Sequence, residues 1–148
     1  GISPEEIRDA VAELPPVPHR LQLIEGNGIR IIDDTFNSNP DGARRALEVL
    51  GLFSGRKVVV TPGMVELGGA EQAENVGLGR MLADVADVVM LIGGKRARAV
   101  ETGLKDARFT GETRKYDSLR DAEEDFKNVL HVGDVLLLLN DLPDCYDD

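Results

Sequence analysis

Three short apolar runs constrain the fold of this chain more than any other feature. Lys57–Thr61 carries three consecutive valines, residues 87–92 run through Val88-Val89-Met90-Leu91-Ile92, and Val135–Leu139 is the most apolar of the three. Runs of this length and composition suit strands buried on both faces, as in parallel sheets. Between and around them lie segments with helical periodicity. Residues 41–52 place Ala43, Ala46, Leu47 and Leu50 on one side, and residues 70–85 do the same with Val76, Leu78, Met81, Leu82 and Val85. Residues 95–104 read as a further helix. Ser118 caps another that runs to about Leu130, with Asp121 at the capping-box position. Strands that alternate with helices predict a parallel sheet covered on both faces. Upstream, residues 20–24 and 29–33 flank Glu25-Gly26-Asn27-Gly28 and read as a hairpin. Residues 107–110 read as one more short strand. The expected fold class is α/β, a Rossmann-like three-layer arrangement with a mostly parallel sheet and an antiparallel edge hairpin.

The chain has 148 residues, which suits one domain. It opens with Ser3-Pro4-Glu5-Glu6, a helix-start pattern, and Ile7, Ala10, Val11 and Leu14 then share a face. Pro15-Pro16-Val17-Pro18 stops that helix. Residues 1–18 are therefore expected to be a terminal helix of an upstream unit plus a proline hinge, and residues 19–148 the domain proper. The net charge of -10 and the lack of Trp point away from nucleic acid and anionic membranes, because such binders present basic faces or stacking platforms. The single cysteine, Cys145, permits no internal disulfide. With no apolar run near the ~18 residues that would span a bilayer, a cytoplasmic domain is expected.

Several motifs of chemistry are absent. No G-x-x-x-x-G-K-[ST] phosphate loop occurs, since Gly93-Gly94-Lys95-Arg96 has neither the spacing nor the hydroxyl. Gly77-Leu78-Gly79 sits mid-helix and lacks the third glycine of a dinucleotide fingerprint. His19, His131 and Cys145 have no metal-site spacing, so no metal site is expected from them. The richest segment is residues 33–40, between a strand and a helix. It packs Asp33, Asp34, Thr35, Asn37, Ser38 and Asn39 into one loop. Turn and capping chemistry accounts for some of these groups, and a ligand at the end of a strand accounts for the excess.

Three ordered motifs then carry a resemblance. Pro18-His19-Arg20-Leu21, Ile31-Ile32-Asp33-Asp34-Thr35-Phe36-Asn37-Ser38-Asn39-Pro40 and Gly63-Met64-Val65-Glu66-Leu67-Gly68 resemble the C-terminal domain of the Mur ligase family. The likeness is nearest to the members that join D-alanyl-D-alanine to UDP-N-acetylmuramoyl-tripeptide through an acyl phosphate in peptidoglycan precursor synthesis. It implies an ATP-dependent ligase whose upstream domains bind the UDP-substrate and hold ATP and Mg2+, which would explain the missing phosphate loop. D-Ala-D-Ala is the implied partner of this domain, and the isolated domain is expected to be inactive.

The resemblance also implies residue roles. Arg20 would reach the nucleotide phosphates and neutralise developing charge. Asp34 would meet the ATP ribose, with Asp33 as competitor for that role. Asn37, Ser38 and Asn39 would orient the loop or meet the dipeptide, and Met64 and Glu66 would also face substrate. Lys95 and Arg96 at a helix start oppose its dipole and hint at a ligand or partner. Phe36 stands where the family often has Tyr, so a hydroxyl role is lost there. Two other readings remain open: another Mur-type amide ligase of the folylpolyglutamate or cyanophycin kind, and a non-catalytic Rossmann-like binding module.

Overall fold

The computed structural model of the protein describes residues 22–26, 28–34, 40–64 and 68–139, the first of these stretches as backbone only. The elements are β1 (Gln22–Gly26), β2 (Ile29–Asp34), α1 (Pro40–Gly51), β3 (Lys57–Thr61), a 3-10 turn (Gly68–Ala70), α2 (Glu71–Val85), β4 (Val88–Ile92), α3 (Lys95–Asp106), β5 (Glu112–Tyr116), α4 (Leu119–Val129) and β6 (Val135–Leu139). The strands form one six-stranded sheet in the order β1-β2-β6-β3-β4-β5. β1 runs antiparallel to β2, and every other neighbouring pair is parallel. The helix and proline stretch expected in residues 1–18, and the tail after residue 139, lie outside the described residues.

Chain direction and handedness decide where the helices go. From β2 through β3 and β4 to β5 the chain steps one way across the sheet, and right-handed crossovers put α1, α2 and α3 on one face. β6 lies back between β2 and β3, so the step from β5 reverses and α4 must cross the other face. Strand alternation splits the core accordingly. Ile32, Val59, Val89, Leu91 and Leu137 meet the three-helix layer, while Ile31, Val58, Val60, Met90 and Leu136 meet α4 around Phe126. Val135–Leu139 is buried at every position, as its composition requires.

Local chemistry explains most element boundaries. Ser118 caps α4 by accepting from the Asp121 amide at 3.2 Å. α1 buries Ala43, Ala46, Leu47 and Leu50, the face that its periodicity predicts. At the opposite end of the sheet, Arg56 donates to both oxygens of the buried Asp134 carboxylate at 3.2 and 3.0 Å, and to the Val129 carbonyl. Asp134 also accepts from the His131 amide at 2.8 Å. This network ties the α4–β6 turn to the start of β3.

Two expectations need correction. Residues 107–110 form no strand. Ala107 ends α3 by donating to Gly103, and Arg108 adopts φ 58°, so the chain turns there. The last parallel strand is instead β5, whose polar Glu-Thr-Arg-Lys-Tyr sequence hides it from a search for apolar runs. Charged residues on an edge strand discourage pairing with other chains. Within α2, Val76, Met81 and Val85 are only half-buried, whereas Asn75 and Gly79 join Leu78 and Leu82 at the buried face.

Gly79 owes its place to helix packing. A Cβ there would lie 2.1 Å from the Val100 carbonyl oxygen, and one on Gly103 would lie 2.0 Å from that of Val76. α2 and α3 therefore approach backbone to backbone. Gly103→Ala is expected to push them apart and lower stability by about 1–3 kcal/mol, as overpacking does. Gly77→Ala, where nothing lies within 4 Å, is expected to be neutral or to stabilise by up to about 1 kcal/mol. Urea unfolding of the two variants beside the parent chain measures both.

Candidate functional site

Because β2 to β6 are parallel, their carboxyl ends lie along one edge of the sheet, the usual place for ligands in open α/β folds. Asp33 pairs in register with Leu138 and Asp34 with Leu139. Strand alternation therefore turns Asp33 toward the α4 face and Asp34 toward the three-helix face. Both are buried, and both are engaged in interactions. Their divergence prevents them from chelating one ion together. Among the described residues no group of three or more His, Cys, Asp or Glu gathers to hold a metal, so these residues do not fit a magnesium site.

The exit of β3 is firmly built. Thr61 is buried, and its Oγ1 accepts from the Gly63 amide at 3.1 Å. Gly63 has φ 85°, a left-handed conformation that favours glycine. A Cβ on it would lie 2.8 Å from Asn75 Oδ1 and 3.1 Å from Arg96 Cβ. Asn75 Oδ1 accepts from the Met64 amide at 2.7 Å, and Asn75 Nδ2 donates to the Met64 and Glu71 carbonyls at 3.0 and 2.9 Å. Met64, expected to face substrate, has no exposed surface and packs in the core with Leu78 and Leu82. That side chain anchors the loop rather than lining a ligand surface.

The exits of β3 and β4 enclose a cleft of about 180 Å³ between the first turns of α2 and α3, where Glu71, Gln72, Asn75, Lys95 and Arg96 line it. Arg96 pairs with Glu71 at 3.4 Å, so one of the two cations at the start of α3 is spent on holding the helices together. Lys95 is exposed in the cleft.

A larger cavity, about 440 Å³, opens between the ends of β4 and β5, where the chain leaves one strand toward α3 and the next toward α4. Gly93, Gly94 and Arg98 form one wall, and Tyr116, Asp117 and Asp121 the other. The Asp125 carboxylate accepts from Tyr116 Oη at 2.5 Å, from Asn128 Nδ2 at 2.8 Å and from the Arg114 guanidinium at 2.8 Å. The Tyr116 bond, with those from Asn128 and Arg114 behind it, holds the Asp125 carboxyl below the usual aspartate range against the opposing effect of burial. Burial, reinforced by Asp125, pushes the Tyr116 phenol up.

Of the side chains that the sequence singles out, Asp33, Asp34, Met64, Lys95 and Arg96 are described, and Arg20, Asn37, Ser38, Asn39 and Glu66 lie outside the described residues. Sequence reading missed Asn75. Its signal was a polar residue on the same helical stripe as Leu78 and Leu82.

The family model for the Mur ligase glutamate ligase domain matches residues 19–140. The chain belongs to the Mur ligase C-terminal domain family. It is 34% identical over 124 residues to the UDP-N-acetylmuramoyl-tripeptide–D-alanyl-D-alanine ligase of Mycobacterium tuberculosis, covering 76% of this chain and 24% of that protein. It is 31% identical over 107 residues to the UDP-N-acetylmuramoylalanine–D-glutamate ligase of Roseiflexus, covering 71% of this chain and 21% of that one. A MurF ligase from Thermotoga maritima, solved in complex with ADP, superposes with a TM-score of 0.72 at 27% identity, over 91% of this chain and 30% of that one. The Mur ligase domain described here thus spans about a quarter of the length of its curated relatives. None of its described helices is long and apolar enough to cross a membrane.

The lowered Asp125 value gives a pH dependence. A carboxylate whose folded-state value is depressed stabilises the fold above its unfolded value, near 3.8, and that contribution fades as pH falls through the folded value. The stability difference between the parent chain and Asp125→Asn should be largest near neutral pH and shrink below about pH 4. Chemical unfolding at a series of pH values checks it, and a difference that grows in acid contradicts it.

Proposed function

We propose that this chain is the C-terminal domain of an ATP-dependent ligase that joins D-Ala-D-Ala to UDP-N-acetylmuramoyl-tripeptide, making a peptidoglycan precursor in the cytoplasm. The observation that carries this reading is the 34% identity, over 76% of the chain, to a ligase named for that reaction. The two carboxylates at the end of β2 and the tightly held exit of β3 fall on the sheet edge where such a domain would meet its ligands. In this reading residues 1–18 are the last helix of a central domain and a hinge, and ATP and Mg2+ sit chiefly on that domain.

The chemistry divides between the lobes. ATP supplies the γ-phosphoryl group that converts the tripeptide carboxylate to an acyl phosphate, with ADP released. The dipeptide amine attacks the acyl carbon, phosphate leaves, and the amine gives up a proton as the peptide bond forms. This domain binds and orients the amine and closes over the nucleotide, which keeps water from the activated acyl group. Arg20 would neutralise charge on the phosphates, Asp34 or Asp33 would accept from the ribose, and Asn37, Ser38, Asn39 and Glu66 would meet the dipeptide. An amide can donate to its carboxylate and accept from its ammonium.

A second amine is favoured by one observation, the 31% identity to a D-glutamate ligase. The two readings separate in one assay. The full-length protein, given ATP, Mg2+ and the UDP-linked acceptor proper to each amine, should form an amide with D-Ala-D-Ala and not with D-glutamate, read by mass spectrometry. The reverse preference assigns the second reading. The 148-residue chain alone should release no phosphate from ATP above background. In the full-length enzyme Arg20→Ala should lower kcat by about 10²–10³-fold, the usual loss for one donor to developing charge, with thermal stability little changed. Near-unchanged turnover removes Arg20 from the mechanism.

A further inference from the structure

Asn75 is a fully buried polar side chain near the start of α2, on the buried face that normally holds apolar residues. Burying an amide is costly unless it is bonded, and Asn75 uses three of its four hydrogen-bonding positions. Two of those bonds go to the amide and the carbonyl of one residue, Met64. The third goes to Glu71, one turn earlier on its own helix. The side chain thus substitutes for a strand partner to Met64, beyond the last described pairings of β3 with β4 and β6. The Met64 side chain is itself locked in the core with Leu78 and Leu82.

Stability alone does not call for this arrangement. Leucine at position 75 would continue the stripe of Leu78 and Leu82, and a β3 exit that faced solvent would satisfy the Met64 main chain with water. The buried amide instead fixes one conformation of the exit at the carboxyl edge. It also sets how closely the loop approaches α3, because Gly63 lies between Asn75 Oδ1 and Arg96 Cβ with no room for a side chain. Asn75 and Arg96 both line the cleft between the first turns of α2 and α3.

From this geometry we infer that Asn75 is a positioning residue for the amine-bearing substrate: through Met64 it fixes the β3 exit and so shapes the wall against which that substrate is oriented. The inference rests on the ligase reading. It predicts an effect confined to one substrate, since ATP would be held chiefly on another domain. A displacement of about 1 Å in such a wall can cost up to about 10²-fold in turnover.

The test uses the full-length enzyme with Asn75→Ala, which removes all three bonds, and Asn75→Asp, which keeps the shape but turns both donated bonds into contacts between acceptors. Each variant should raise KM for the amine substrate about tenfold or more and lower kcat, with KM for ATP and for the UDP-linked substrate within twofold of the parent. Gly77→Ala, on the same helix with nothing within 4 Å of the added methyl, should leave all three KM values near the parent's. Unchanged amine KM and kcat in the Asn75 variants overturns the inference, as does a rise of all three KM values together. Loss of the folded enzyme in both variants, read by thermal unfolding, also overturns it by assigning Asn75 to the core alone. If the parent enzyme turns over D-glutamate rather than the dipeptide, the ligase reading in its present form fails, while the Asn75 inference is still read on the KM for D-glutamate.

Discussion

Everything in this domain depends on the insertion of β6 between β2 and β3. The last described strand pairs in parallel with both, and it is buried on both faces. Until it arrives, β2 and its hairpin partner β1 lack a parallel neighbour, and the edge that carries Asp33 and Asp34 has no fixed register. β6 brings Leu138 beside Asp33 on one side and beside Val60 on the other, so the ends of β2 and β3 become a single rim. The Arg56–Asp134 pair holds the turn into β6 against the start of β3, at the end of the sheet opposite that rim. One part-buried ion pair at the base and one apolar strand through the middle together set the geometry at the edge where ligands would bind.

The helical layer imposes a second constraint on the same edge. α2 and α3 approach until only glycine fits at positions 79 and 103. Their amino-terminal turns are thereby brought close enough for Arg96 to pair with Glu71 and for Asn75 and Arg96 to crowd Gly63. The β3 exit is caught between them and bonded to Asn75. Side-chain charge at this edge is mixed. Lys95 and Arg98 stand at the start of α3, and Asp117 and Asp121 stand across the larger cavity. Such an edge can meet both ends of a zwitterion, which is the form of a free amino acid or dipeptide at neutral pH.

The sequence determined the fold class, because hydrophobic pattern is a local property and it survives folding. Three runs of valine, leucine and isoleucine had to be strands buried on both faces, and the stripe of Ala43, Ala46, Leu47 and Leu50 had to be a helix face. Ser118 and Asp121 announced a helix start through a bond made within one turn. The motifs at residues 33–40 and 63–68 carried the family, and the match over residues 19–140 agrees with them. Pattern failed at β5, since an edge strand needs only modest burial and its charged sequence carries no apolar signal.

Only the tertiary structure decided what depends on residues far apart in the chain. It turned Asp33 and Asp34 to opposite faces, drew Met64 into the core, and made Gly79 a point of backbone contact between two helices. It also gave Asn75 its task. These outcomes follow from strand register, helix approach and the need of every buried polar group for a partner. None of those quantities exists until the distant segments have met, so no local pattern could have specified them.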